Sequence, residues 1–280
     1  MLALLIKRIA NAALVMLAVA FLAFVIFRFF GDPVEMMVNE QATQADRAEL
    51  RERLGLNDGL IVQYVRFVTN AVQGDFGISY RNQQDVMVLI GERLPATLEL
   101  VIVATILSLV IGIPLGVITA IRRDSRLADA LQLGSIVGVS LPSFVVGILL
   151  ILVFSVTLGW LPLHGMGDGT SFIDTFKHFV MPVFVLGIAS AAGTARYQRS
   201  AVLEVLSQDY VRTARAKGLD ERTVIWKHVM RNSLLPVITL FGLSLPFLVS
   251  GAVITETIFS WPGIGKWMVD SIFRRDYPVV

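Results

Sequence analysis

Residues 210–236 read YVRTARAKGLDERTVIWKHVMRNSLLP, a basic stretch set between two long apolar runs. Its first part is rich in good helix formers, Arg212, Ala214, Arg215, Ala216 and Lys217. Gly218 is expected to end that helix, because glycine tolerates the positive φ common at helix C-termini. A second helix is expected over 220–232, with Asp220 as a candidate N-cap and Glu221 in the first turn. It carries Val224, Ile225, Trp226, Val229 and Met230 among Arg222, Lys227, His228 and Arg231. The predicted unit is helix, glycine turn, helix, held between membrane spans. Composition alone also admits a plainer reading, a charged loop kept on one side of a membrane by its bases.

The flanking apolar runs set the fold class. The chain has 280 residues, 55% hydrophobic and only 16% charged, with a mean hydropathy of +0.71. A soluble domain of this size carries more charge, and several runs reach the ~20 residues needed to cross a bilayer. A net charge of +2, with the bases spread over loops, gives no nucleic-acid signature. With no cysteine, disulfides, thiol catalysis and thiolate metal sites are excluded. The first apolar run is followed by Phe29-Phe30 rather than by a small-residue cleavage site, so it reads as a span and not as a cleaved signal.

Five transmembrane helices are expected, over 9–27, 100–121, 131–158, 179–195 and 233–259. Gly31-Asp32-Pro33 is a stop after the first. Residues 34–95 form a polar insertion with expected short helices over 45–54 (capped by Gly55), 60–72 and 83–93, the last ending near Pro95. In the second of these, Ile61, Val65 and Val68 share one face. Pro142 should kink the third span, either as a packing kink or as a moving hinge. The fourth is rich in Ala, Gly and Ser, which suits close helix contact inside a bundle or at a subunit interface. Gly112/Gly116 and Gly134/Gly138 repeat that small-residue spacing.

The segment Asp209-Tyr210-Val211-Arg212-Thr213-Ala214-Arg215-Ala216-Lys217-Gly218, with Arg231-Asn232-Ser233-Leu234-Leu235-Pro236, resembles the EAA loop of ABC-importer permeases. In detail the chain resembles the B-type permease of the dipeptide, oligopeptide, nickel and glutathione importer family. Arg212 stands where many importers have Glu six residues before the Gly, and Arg231 where they have Pro thirteen residues after it. Both departures are typical of the peptide branch. Further likeness lies in Gly31-Asp32-Pro33, in LGLND, NAVQGDFG and ERLPATLEL of the insertion, in Ser140-Leu141-Pro142-Ser143-Phe144, in Gly159-Trp160-Leu161-Pro162, in the stretch from Glu256 through Trp261-Pro262-Gly263 to Gly265, and in Asp276-Tyr277-Pro278-Val279-Val280.

The resemblance implies an all-α membrane protein, a type I ABC importer permease in the cell inner (plasma) membrane, multi-pass, with its N-terminus cytoplasmic. It implies a sixth span, and no such segment follows in this sequence. The implied organisation is a first transmembrane helix over 1–30, an external helical insertion over 31–97, and a core permease domain over 98–280 with the coupling loop at 200–232. The insertion reads either as a stabilising loop or as a docking surface for a substrate-binding protein. The charges agree with the orientation. With the N-terminus inside, the inner segments hold 13 of 24 bases and 6 of 22 acids, as the positive-inside rule requires.

Motifs for chemistry within the chain fail individually. Gly263-Ile264-Gly265-Lys266-Trp267 lacks the upstream Gly and the following Ser or Thr of a phosphate loop. His164, His178 and His228 lack metal-site spacing, and Gly138-Val139-Ser140-Leu141-Pro142 lacks the second Gly of a nucleophile elbow. Glu99 and Glu256 lie near span ends, so the span centres lack the carboxylates of ion-coupled carriers. The chain is therefore expected not to be an enzyme, and to hold no cofactor itself. The resemblance implies ATP and Mg on two partner ATPase subunits, a second related permease forming a heterodimer, and an external substrate-binding protein.

Arg212, Thr213, Ala214, Arg215, Ala216, Lys217 and Gly218 would form the ATPase-coupling loop. Thr213, Ala214 and Ala216 would be its packed face, and Arg212, Arg215 and Lys217 would pair with acidic groups of the partner. Transported solutes of the family include peptides, nickel chelates, glutathione, opines and sugars. A self-contained ion-coupled transporter and a non-transporting membrane scaffold are the alternatives from other classes, and neither has a positive motif here.

Overall fold

Residues 2–30 contain no proline or glycine, and in the computed structural model Leu2–Phe30 form one unbroken helix, α1. The structure describes residues 2–30, 34, 43–53, 55–169 and 171–280. The expected stop at Gly31-Asp32-Pro33, and Leu54 at the expected end of the next helix, lie outside them. The chain divides into two compact units, Met1–Glu92 with Met268–Val280, and Arg93–Trp267. Among the described residues, three helices are long and apolar enough to cross a membrane, over Ala3–Ile26, Val86–Ile121 and Phe172–Leu206, and the bent pair Arg126–Ser140 with Ser143–Thr157 passes the same test together.

In the first unit, α2 (Gln44–Arg53) begins with a reciprocal cap. Asp46 accepts from the Thr43 N–H and hydroxyl at 2.9 and 2.8 Å, while Thr43 Oγ1 accepts from the Asp46 N–H at 3.3 Å. These bonds hold the Asp46 carboxyl below its ordinary value. Helix α3 (Leu60–Val72) follows the expected turn. Beyond it Gly74 and Gly77 take φ of +83° and +81°, the breaks their positions suggested. The turn after Gly77 is fastened to the last residues of the chain. Buried Asp276 accepts from Ser79 Oγ at 2.5 Å and from the Tyr80 N–H at 2.9 Å. Burial, together with the charge of Asp276, pushes the Tyr80 hydroxyl up to about 12.

Two prolines behave in opposite ways. The helix expected to end near Pro95 does not end there. It begins at Val86 and continues as α4 (Val86–Ile121) through both Pro95 and Pro114. Proline costs one helical hydrogen bond, but just beyond Pro95 the residues Ala96, Leu100, Val101 and Ala104 are buried in one cluster with Val183, Leu186, Ala252 and Trp261. That burial holds the helix straight through. The expected continuous third span is instead two helices, α5 (Arg126–Ser140) and α6 (Ser143–Leu150), bent by 98°. Leu141, immediately before Pro142, is extended at φ −78° and ψ 126°, because a residue preceding proline is driven out of the α region. Helix α6 continues into a π-helical segment, Ile151–Thr157.

The fourth expected span is the centre of α7 (Phe172–Leu206), which extends well past Ala195 at its C-terminal end. Its small residues do line the interior. A Cβ on Gly112 of α4 would lie 2.8 Å from the Ala191 carbonyl oxygen, and one on Gly116 would lie 2.6 Å from that of Ala195. On the facing side, a Cβ on Gly187 would lie 3.0 Å from the Ala104 carbonyl oxygen. The two backbones thus touch along a seam that admits no side chain at these places. Gly134 has open space around it, so its spacing carries no such meaning.

The chain continues through α8 (Asp209–Ala216), α9 (Glu221–Thr223), a π-helical segment (Val224–Val229), α10 (Met230–Ile258) and α11 (Ile264–Phe273). Glu256, near the end of α10, is fully buried, with both carboxylate oxygens hydrogen-bonded. It accepts from Thr97 Oγ1 at 2.6 Å and from the Lys266 N–H at 2.9 Å. A side chain on Gly263 or Gly265 would run into its carboxylate, so both glycines of the Gly-Ile-Gly motif serve this close approach.

Gly116→Val and Gly112→Val should each lower stability by about 1–3 kcal/mol through overpacking of the seam. Gly134→Ala should be near neutral. Thermal unfolding of the detergent-solubilised protein checks both.

Candidate functional site at the Gly218 turn

Helix α8 is amphipathic at the scale of two turns. Val211 and Ala214 point inward at i and i+3, while Arg212, Thr213, Arg215 and Ala216 are exposed. The Gly218 N–H donates to the Arg215 carbonyl at 3.0 Å and the Leu219 N–H to that of Ala214 at 3.4 Å. Gly218 itself has φ +77° with nothing within 4 Å of a Cβ, so conformation rather than space requires glycine there. Asp220 caps the next helix, accepting from the Thr223 N–H at 3.1 Å, as its position suggested. Hydrogen bonds from Thr223 hold the Asp220 carboxyl below its ordinary value.

The second helix of the pair does not end at Asn232. It runs from Glu221 through the π-helical segment into α10 without a break, so the glycine turn is joined directly to a long apolar helix. An ion pair closes the turn. Arg215 Nε and Nη2 donate to the two Glu221 carboxylate oxygens at 3.1 and 2.6 Å. These bonds hold the Glu221 carboxyl below, and the Arg215 guanidinium above, their ordinary values. Asn232 Nδ2 donates to Tyr210 Oη at 2.9 Å and ties the start of α8 to the base of α10.

Beneath α8 lies an apolar cluster drawn from distant parts of the chain. It comprises Val117 and Ala120 of α4, Val202 of α7, Val211 and Ala214 of α8, Val224 and Val229 of the π-helical segment, and Met230 of α10. Above it, Gln198 of α7 donates to Ser233 Oγ at 3.1 Å. The helix pair is therefore not a loose connection, because its inner face shares a core with the ends of three long helices.

This geometry corrects one expectation. Thr213, Ala214 and Ala216 do not form one face. Ala214 is only 5% exposed and faces the protein's own core. Thr213 and Ala216, three residues apart, stay outside. The three bases also differ. Arg215 is engaged with Glu221, and Arg212 lies 3.4 Å from Asp209. Lys217 has no ion-pair partner among the described residues and is the base most free to meet another chain. Val211 was missed as an anchor, although its spacing from Ala214 was a readable signal.

The membrane-component model "Binding-protein-dependent transport system inner membrane component" matches residues 112–280, which contain this site, and the corresponding N-terminal model matches residues 1–101. The chain belongs to this family. It is a multi-pass inner-membrane permease component of a binding-protein-dependent transport system. The oligopeptide transport system permease protein AppB of Bacillus subtilis is 47% identical over 285 residues, covering 100% of this chain and 90% of that protein. The di/tripeptide transport system permease protein DppB of Pseudomonas aeruginosa is 44% identical, covering 94% and 85%. The inward-facing MetNI methionine ABC transporter shares the fold at a TM-score of 0.55 and 19% identity, over 66% of this chain and 81% of its own.

Ala214→Arg should place an unpaired charge in the valine cluster and cost several kcal/mol, with faster proteolysis around residue 218 than in the unmodified protein. Because the folded Glu221 carboxyl titrates below its ordinary value, its pair with Arg215 contributes above the usual carboxylate range and is lost as pH falls through the lowered value. The pair is exposed, so the effect is about 0.2–1 kcal/mol. Amide-exchange protection of Gly218 and Leu219 should fall correspondingly in acid, and Glu221→Gln should remove that dependence.

Proposed function

We propose that this chain is the B-type permease of an ATP-driven importer of short peptides, and that the exposed side of the Gly218 turn is where a cytoplasmic ATPase subunit engages it. The reading is carried by the packing of α8. Its inner face is sealed to α4, α7 and α10 by Val211 and Ala214, so a push on its outer face is delivered to the ends of those helices. The outer face offers what a docking helix needs: short side chains at Thr213 and Ala216, an uncommitted base at Lys217, and exposed Leu219 and Trp226 nearby.

In this mechanism the chain carries no ATP and no Mg. Both sit on two partner ATPase subunits, and a second, related permease completes a heterodimer. An external binding protein delivers the solute. ATP binding draws the ATPases together, the α8 pair moves with them as one body, and the long helices re-orient to expose the path to alternate sides. Short peptides are the supported cargo class, since the relatives at 47% and 44% identity are named for oligopeptide and di/tripeptide transport.

The test is uptake of a labelled dipeptide or tripeptide into proteoliposomes holding the full complex and its binding protein. Thr213→Arg and Ala216→Arg should reduce uptake by about tenfold or more, because each adds bulk and charge at the proposed contact, while membrane levels and the thermal stability of the chain stay unchanged. Normal uptake by both variants would remove the coupling assignment. Peptide uptake that persists without ATP would remove the importer assignment.

A further inference from the structure

Helix α3 (Leu60–Val72) belongs by sequence to a polar insertion, yet it is fastened to the middle of a membrane span. Tyr64 Oη donates to the Leu17 carbonyl at 2.7 Å, and Leu17 lies well inside the apolar stretch Ala3–Ile26 of α1. The Tyr64 ring packs edge-on against Phe21 at 5.2 Å between centroids and also meets Phe24, while Phe67 stacks on Phe24 at 6.3 Å. Tyr64 and Phe67 of α3 thus meet α1 over residues 17 to 24, within the span.

One flank of α3, about a quarter turn round from Tyr64, is apolar and uncovered. Ile61 is 75% exposed, Val65 56% and Val72 82%. A 13-residue apolar helix is ~20 Å long, too short to cross a ~30 Å hydrocarbon layer. Such a helix is a core helix, a re-entrant segment or an interfacial one, and the exposure of these residues excludes the first. Most of its polar side chains are bonded within this unit, with Asn70 exposed. Gln63 Nε2 donates to the carbonyls of Leu56 and Asp58 at 3.0 and 2.6 Å. Arg66 pairs with Asp58 at 2.5 Å, and Thr69 Oγ1 donates to the Val65 carbonyl at 2.8 Å. With Tyr64 bonded to α1, four polar side chains of the helix are answered within this unit. Neighbouring side chains of α1, Leu14, Met16 and Leu22 among them, are themselves exposed as lipid-facing residues are.

We propose that α3 is immersed in the bilayer beside the first span, with Ile61, Val65 and Val72 facing lipid acyl chains. What surrounds α1 at the level of Leu17 then also surrounds the stripe of Ile61, Val65 and Val72. The polar insertion is then anchored in the membrane at its second helix.

The chain has no cysteine, which makes the test direct. Single-cysteine variants Ile61→Cys, Val65→Cys and Val72→Cys are compared with Asn82→Cys, in the exposed turn after Gly77, and Leu14→Cys, on the exposed side of α1. Each is made in the complete importer in phospholipid bilayers, spin-labelled, and checked for peptide uptake to confirm folding. The first three sites should resemble residue 14, with collisions with oxygen favoured over a water-soluble nickel relaxant and reaction with a membrane-impermeant maleimide roughly tenfold slower than at residue 82, since hydrocarbon excludes charged reagents. Ready access by the nickel relaxant at all three sites would place α3 in water and overturn the proposal. Protection from both relaxants would mean that another protein surface covers the stripe, and would overturn it equally.

Discussion

The burial of Val211 and Ala214 is the constraint on which the rest depends. A basic helix of eight residues has little stability alone, since helix nucleation is unfavourable at that length. Here it is held because two inward residues meet valines from α4, α7 and the π-helical segment, and because the glycine turn closes through Arg215 and Glu221. Removing the apolar contacts would leave a charged connection free to move independently of the spans. With them, the segment and the ends of three long helices form one piece.

The glycine seam extends that connection into the membrane. Gly112 and Gly116 bring the α4 backbone against α7 at Ala191 and Ala195, and Gly187 returns the contact at Ala104. Gln198, beside Ala195, reaches Ser233 on α10. Contact of backbone with backbone leaves few soft side chains to absorb a displacement. At the far end of the same unit, Glu256 is held by Thr97 and by the Lys266 N–H, so α4 and α10 are fastened there as well. A buried carboxylate with its oxygens occupied in this way is a structural clasp. Its position near a span end, which in sequence bears on whether the chain could drive itself by ion coupling, is explained by that role.

Much of this was legible before the structure, and the unread part has identifiable causes. Gly218 and Asp220 act through local backbone chemistry, positive φ and capping, so their roles could be read from residue type and position. Ala214 could not be assigned a side by size alone, because a small residue suits a docking groove and a close-packed core equally. Its spacing from Val211 decides for the core. Pro95 and Pro142 look alike in sequence but differ in what surrounds them, since the cluster around Leu100 and Trp261 compensates for the first and the chain breaks at the second. Helix α11 went unread because its start depends on Glu256 accepting from Lys266, a contact with a residue ten positions earlier. The depth of α3 was hidden for a similar reason, as its partner Leu17 lies 47 residues away. Local signals were readable, whereas contacts between distant segments were not.

The most direct measurement of the coupling account is site-specific cross-linking in native membranes, using the cysteine-free background for Ala216→Cys and Val211→Cys with an ATPase subunit carrying single cysteines along its membrane-facing groove. The account predicts a short-range disulfide from residue 216 to the ATPase whose yield changes when ATP is bound, and none from residue 211, which is sealed inside this chain. A cross-link from residue 211, or no ATPase adduct from residue 216 under any nucleotide condition, would contradict it.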